Sequence, residues 1–259
     1  MNRLFPRFNT YYITAFDSDA QIPQTGVFGK CHCRASPYIY SDEEISLLIT
    51  EAGKLFSPDG IRARTVSTAV GLLRSTGIRV SELTLLKMKD ARLSEGCLFI
   101  SSSKFKKERI VPLHPTAVEE LTKYRDFITE KLGPRDETDY FFVSSYGHTF
   151  NTRAFEYAFA LIRPVLFTAA AKDRKQNCRL YDIRHTFACE TVKRWLQSGT
   201  DVNQRLYLLS TYMGHVKPED TYWYLSATPE LLAVSCSLYE KAFAPEYSPR
   251  LAAKEGVLE

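Results

Sequence analysis

Arg79 and Arg184 stand next to expected helix ends, Lys104 lies in a lysine-rich stretch, Gly214-His215 makes a corner, and tyrosines cluster around Tyr222 and Tyr224. This inventory suits a phosphodiester. A phosphoryl transition state gathers charge on its non-bridging oxygens, and arginine answers with a permanently charged planar fork that can bond two oxygens at once. A tyrosine hydroxyl can act as a nucleophile and form a covalent intermediate. Taken singly, such arginines are more often surface or salt-bridged side chains and such tyrosines core or rim aromatics, so order and spacing must decide.

The elements that would position these residues are legible in the apolar spacing. Ser41 and Glu44 form a possible capping box ahead of Ile45, Leu48, Ile49, Ala52 and Leu55 at helical intervals. A second helix carries Val66, Ala69, Val70 and Leu73 and should stop near Gly77, with Arg79 just beyond the break. Cys97–Ser101 and Arg109–Leu113 read as two short strands, with the basic segment at their hairpin tip. Further helices are expected through Val118, Leu121, Tyr124 and Ile128, through Phe155 to Ile162, and through Phe187 to Trp195. A helix through Leu206, Leu209, Tyr212 and Met213 should end at Gly214, and Pro229 can open a last one through Leu232 and Leu238. The expected fold class is mainly α with a small antiparallel β-sheet. Residues 1–37, which mix aromatics with Pro23, Gly26, Gly29 and Pro37, read as an irregular arm, and residues 38–259 as the folded domain.

Bulk properties narrow the class. With 44% hydrophobic and 25% charged residues the chain can bury a sizeable core, and its apolar runs are too short and too interrupted for a membrane span or a signal peptide. The six cysteines lack disulfide-scaffold or four-ligand zinc spacing, and Cys31-His32-Cys33 has no second ligand pair, so no metal and a reducing cytoplasm are expected. The net charge of +4 matters less than where positive charge collects: at 104–109 and again at 172–184.

Four motifs in order then carry a resemblance. Thr76-Gly77-Ile78-Arg79-Val80-Ser81-Glu82-Leu83 resembles the T-G-x-R-x-S-E-L box of tyrosine recombinases of the phage-integrase type. Lys104, followed by Lys107-Glu108-Arg109-Ile110-Val111-Pro112-Leu113, is similar to that family's hairpin lysine and its K-x-R-x-V-P-L tail. Arg184-His185-Thr186-Phe187-Ala188 resembles the second arginine box, and Met213-Gly214-His215 with Thr221 and Tyr224 resembles the closing histidine-to-tyrosine series. The likeness runs from about Tyr38 to about Leu232, and within the family it looks nearest to recombinases of bacterial transposons and integrative elements.

The resemblance implies a mechanism and roles. The Tyr224 hydroxyl would attack the scissile phosphate and leave a 3′-phosphotyrosine and a free 5′-hydroxyl, with no cofactor, ATP or metal. Arg79 and Arg184 would clamp the phosphate and favour loss of the phenol proton. Lys104 would protonate the departing oxygen, with Lys106 and Lys107 in reserve; Lys106, Lys107 and Arg109 would also contact DNA. His215 would donate a hydrogen bond to a phosphate oxygen, and Glu82 would orient Arg79. Tyr181 is the departure, because the family usually has histidine three residues before the second arginine, and a neutral tyrosine cannot act as a base near pH 7.

The implied partners are double-stranded DNA and further copies of the chain, which the family assembles as a tetramer on DNA. The segment from Pro229 to Phe243 is the expected packing helix. Complete family members usually carry a separate helical domain before the catalytic one, and residues 1–37 are too few to supply it. A non-catalytic DNA-binding remnant, a type IB topoisomerase and a helical interaction module are the competing expectations.

Overall fold

The computed structural model describes residues 37–101, 108–167, 178–215 and 221, apart from the side chains at 203 and 204. The arm, the lysines 104, 106 and 107, the tyrosines Tyr222 and Tyr224, and the segment 229–243 lie outside the described residues. The helices are α1 (Asp42–Ala52), α2 (Ile61–Thr76), α3 (Val80–Leu85), α4 (Pro115–Leu132), α5 (Thr152–Ile162), α6 (Asp182–Gln197) and α7 (Val202–Met213). Strands β1 (Ala91–Arg92), β2 (Cys97–Ile100) and β3 (Arg109–Pro112) form an antiparallel sheet in that spatial order. The architecture is mainly α with a small antiparallel sheet, as the periodicity implies.

Helix α2 is the centre of the arrangement and packs against α1, α4 and α6. Its apolar positions Val66, Ala69, Val70 and Leu73 are all buried, as the helical spacing requires. Thr65 lies on the same helix, fully buried, and its hydroxyl donates to the Val143 carbonyl (3.0 Å) and lies 3.0 Å from the Tyr124 hydroxyl on α4. Those bonds satisfy polar atoms that burial would otherwise penalise. Around them the rings of Tyr124, Phe141 and Phe142 sit with centroids 5.1–5.5 Å apart, and Phe150 and Phe155 meet edge to face at 4.6 Å. A second apolar cluster joins α6 to α7 through Ala188, Cys189, Val192, Leu206, Leu209 and Met213.

The start of the domain is fixed by side-chain capping. The Ser41 hydroxyl accepts from the Glu44 backbone N–H (3.2 Å), and the Glu44 carboxylate accepts from the Ser41 N–H (3.0 Å), completing the expected box. Tyr40 then ties this entry to α6: its N–H donates to the Thr186 hydroxyl (3.0 Å) and its own hydroxyl to the Arg179 carbonyl (2.9 Å).

Two glycines end the helices that deliver the candidate site. Gly77 closes α2 in the left-handed region (φ 61°), and Gly214 follows α7 at φ 65°. Both positions are sterically tight. A Cβ on Gly77 would lie 2.4 Å from Cδ1 of Phe187 on α6, and one on Gly214 would lie 3.0 Å from Nη1 of Arg109 and 3.4 Å from Nη1 of Arg79. Helix α3 was not legible beforehand, because six residues offer less than two turns over which an apolar period can show.

The Register of β2 and β3 matters for the site. Ile100 pairs with Arg109 and Leu98 with Val111, so Arg109 stands at the end of the ladder from which the connection of residues 101–108 departs.

Gly77→Ala combines left-handed strain with a clash against the Phe187 ring, so it is expected to destabilise the domain by about 2 kcal/mol or more. Urea denaturation measures this directly; a loss under about 0.5 kcal/mol, the scale of an ordinary surface change, would contradict the packing described.

Candidate active site

The first box builds its own geometry. Gly77 turns the chain out of α2, Ile78 is buried beneath the turn, and Arg79 adopts extended backbone (φ −74°, ψ 147°) as the residue preceding α3. Glu82, one turn into α3, reaches back so that its Oε2 accepts from the Arg79 backbone N–H (2.9 Å) while its Oε1 accepts from Arg79 Nη1 (2.8 Å). One carboxylate therefore fixes both ends of the same arginine. Glu82, expected to orient Arg79, thus touches both its backbone and its guanidinium.

Arg109 joins them from β3. Its Nη1 donates to Glu82 Oε1 (3.0 Å) and its Nη2 to Glu82 Oε2 (2.7 Å), a two-pronged ion pair bridging 27 residues of sequence. The Glu82 side chain is 1% exposed and that of Arg109 only 9%. Burial alone would push the Glu82 carboxyl up, but the hydrogen bonds and charge of Arg109, then of Arg79, overcome it and hold the group at about 2. Arg109 was expected on DNA; the structure places its guanidinium on Glu82.

The second box delivers Arg184 from the first turn of α6. It is almost fully buried, and its fork spans two chain segments: Nη1 donates to the Gly77 carbonyl (2.5 Å) and Nη2 to the Met213 carbonyl (2.6 Å). Arg79 Nη2 takes the next carbonyl, that of Gly214 (2.8 Å). The two arginines thus hold consecutive carbonyls at the C-terminal end of α7, where unpaired carbonyls and the helix dipole favour positive charge.

His215 follows at once. Its Nε2 lies 3.2 Å from Arg184 Nη2 and its Nδ1 2.8 Å from the Thr221 hydroxyl, which is buried. A guanidinium can only donate, so Nε2 accepts and the ring proton sits on Nδ1, pointing at Thr221. Burial, reinforced by the charges of Arg184, Arg79 and Arg109, pushes the His215 pKa down to about 4. At neutral pH the imidazole is therefore uncharged, and donation to a phosphate through Nε2 requires a proton that the resting site does not keep there.

Tyr181 immediately precedes α6, with its ring edge-on to His185 at 4.9 Å and 47% of its surface exposed. The α6 start is organised by Asp182, which accepts from the Arg179 backbone N–H (3.0 Å) and pairs with its guanidinium (2.9 Å). Tyr212, two residues before the Gly214 corner, donates to the Thr76 carbonyl (2.9 Å) and stacks on Phe187. That second link between α7 and the end of α2 had no sequence signal beyond the apolar period on which Tyr212 falls.

The structure accordingly brings Arg79, Glu82, Arg109, Arg184 and His215 together. Arg79 and Arg109 pair with Glu82, and Arg184 with the neutral His215 adjoins them at the end of α7, so three guanidiniums stand against one carboxylate and leave an excess of fixed positive charge suited to an oxyanion. Among the described residues, no group of three or more His, Cys, Asp or Glu could hold a metal ion, and no helix is long and apolar enough to cross a membrane.

Comparison with known proteins identifies the family. Residues 39–230 match the phage integrase family. The chain is 33% identical to the integrase/recombinase y4rB of Sinorhizobium fredii over 89% of its own length and 73% of that protein's. It is 29% identical to the tyrosine recombinase XerD of Rickettsia prowazekii over 73% of its length and 58% of that relative's. Among solved structures, XerA recombinase superposes with a TM-score of 0.57 at 24% identity, covering 90% of this chain and 72% of that one. The Tn1549 transposon integrase in complex with transposon right end DNA gives 0.61 at 14% identity, covering 94% and 78%. The chain belongs to the phage integrase family of tyrosine recombinases, and the described fold is that family's catalytic domain.

Both shifted groups act in the same direction with pH. His215 has a folded pKa (about 4) below its ordinary 6.5, so the unfolded chain takes up the proton first and stability falls as pH drops through that window. Glu82 adds a loss further down, as pH falls from 4.5 towards 2. NMR titration of His215 in the free protein should give a pKa well under 6; a value at or above 6.5 would contradict the buried, cation-flanked environment.

Proposed function

We propose that this chain cuts and rejoins duplex DNA at specific sites through a covalent bond to Tyr224. The observation that carries the reading is the convergence of Arg79 and Arg184 on the end of α7, because it sets a cationic fork pair beside His215, which precedes Tyr224 by nine residues in the sequence. The family membership and the likeness to integrases and recombinases support the same chemistry.

In the proposed reaction, the phosphate lies against Arg79 and Arg184, whose charge stabilises the pentacoordinate transition state and favours phenolate at Tyr224, the phenol proton passing to solvent. The Tyr224 oxygen forms a bond to phosphorus, and the bond from phosphorus to the 5′-oxygen breaks. Lys104 gives its proton to that oxygen, with Lys106 and Lys107 as alternatives. The products are a 3′-phosphotyrosine and a free 5′-hydroxyl; attack by a 5′-hydroxyl of another strand reverses the steps and rejoins DNA. The incoming phosphate adds negative charge beside His215 and raises its affinity for a proton, which converts Nε2 from acceptor to donor. Tyr181 stands where a basic residue would assist, and its hydroxyl can only donate or accept a hydrogen bond near pH 7.

Residues 38–259 would be the catalytic domain and 1–37 an arm, with protomers paired on DNA through the segment from Pro229 to Phe243. Lys106 and Lys107 would contact the DNA backbone, a salt-sensitive contribution.

Incubation with a nicked suicide duplex drawn from the ends of the host element should trap a protein–DNA adduct on a denaturing gel. The adduct is expected to vanish in Tyr224→Phe and persist in Tyr222→Phe; DNA binding with no adduct in the wild type would favour a non-catalytic DNA-binding protein. Tyr181→His is expected to speed cleavage by about tenfold, below the roughly 100- to 10,000-fold that a full general acid–base group contributes, and an unchanged rate would show that tyrosine costs nothing there.

A further inference from the structure

Arg109 belongs to the motif that resembles a DNA-contacting hairpin, yet its geometry is that of an internal support. Its guanidinium is 9% exposed, and both of its terminal nitrogens are committed to the two oxygens of a buried carboxylate. Glu82 Oε1 is shared, receiving Arg109 Nη1 at 3.0 Å and Arg79 Nη1 at 2.8 Å. Both guanidiniums also lie against Gly214, close enough that a Cβ there would sit 3.0 Å from Arg109 Nη1 and 3.4 Å from Arg79 Nη1. The Arg109 side chain is also the more enclosed of the two, 9% exposed against 16% for Arg79, and both of its terminal nitrogens serve one carboxylate, whereas Arg79 divides its fork between Glu82 and the Gly214 carbonyl.

We propose that Arg109 is a positioning residue: by chelating Glu82 and lying on the Gly214 corner, it sets the fork of Arg79 against the reacting phosphate. It also fastens β3, and hence one end of the connection that contains Lys104, to the first arginine box. The inference rests on the phosphate-site reading above and deepens it. The planar fork is what the role requires, since a lysine ammonium offers a point charge and cannot span both carboxylate oxygens with fixed geometry.

The test is single-turnover cleavage of the nicked duplex at saturating protein, with wild type, Arg109→Lys and Arg109→Gln, alongside DNA affinity at several salt concentrations and a melting curve for each variant. Arg109→Lys is expected to cut about 10- to 100-fold more slowly, because small misplacement of a clamp is costly. Its DNA affinity and the salt slope of that affinity should stay at the wild-type values. Rescue of the rate by lysine, or a salt slope reduced by about one, would overturn the proposal and make Arg109 a phosphate contact. A rate restored in full on cooling below the variant's melting transition would likewise overturn it, leaving a purely structural role.

A DNA-free readout separates the two levels of the argument. Arg109→Gln removes a cation that depresses His215, so the His215 titration followed by NMR should move up. A wild type that binds DNA without cutting sinks the reading of the site; an unmoved His215 titration sinks the role of Arg109 alone. Should the Arg109 variants be too unstable to assay, Glu82→Gln breaks the same bridge while keeping the side-chain shape. It is expected to show the same slow cleavage with unchanged affinity, and a wild-type rate would overturn the proposal.

Discussion

A buried carboxylate shared by two guanidiniums is the constraint around which this molecule is arranged. Glu82 is 1% exposed on its side chain and would be intolerable there without Arg109 and Arg79, while each arginine in turn depends on Glu82 for its orientation. The three side chains come from different places: the turn after α2, the first turn of α3 and the first residue of β3. Holding them together fixes how the sheet sits against the helices. It also leaves Arg79 Nη2 free of Glu82 and able to reach the Gly214 carbonyl, so one cluster connects α3, β3 and the end of α7.

Arg184 makes the complementary connection. Its fork joins the Gly77 carbonyl to the Met213 carbonyl, so the ends of α2 and α7 are held by a residue that α6 supplies from its first turn. The left-handed glycines at these two ends are required because the carbonyls must turn towards the arginines and because Phe187 and Arg109 occupy the space a Cβ would need. Cation binding to helix-terminal carbonyls is ordinary physics; here it gathers positive charge at the end of α7, beside His215. The resting site is thus already organised by internal bonds, and under the proposed reaction a phosphate would enter an electrostatic environment in place rather than one it must assemble.

Much of this was legible in the sequence because the relevant signals are local. The capping box at Ser41 and Glu44, the apolar faces of α2, α4 and α5, the breaks at Gly77 and Gly214 and the hairpin pairing of 97–100 with 109–112 each depend on residues near one another in sequence. The ordered motifs then marked Arg79, Arg184 and His215, and the structure brings those three together. What was not legible is long-range. Nothing in the charge pattern at 104–109 distinguishes Arg109, pointing inward to Glu82, from the lysines before it. The same holds for His215, whose proton position follows from Arg184 on one side and Thr221 on the other, and for Tyr212, whose hydroxyl finds the Thr76 carbonyl 136 residues away.

The account as a whole stands on Tyr224 forming a bond to phosphorus at the site these arginines define. The most direct measurement is to digest the trapped protein–DNA adduct with trypsin and nuclease and to locate the residual nucleotide by fragmentation mass spectrometry. The account requires a phosphodiester on Tyr224; an adduct mapped to Tyr222, or to any residue away from the closing histidine-to-tyrosine series, would contradict it.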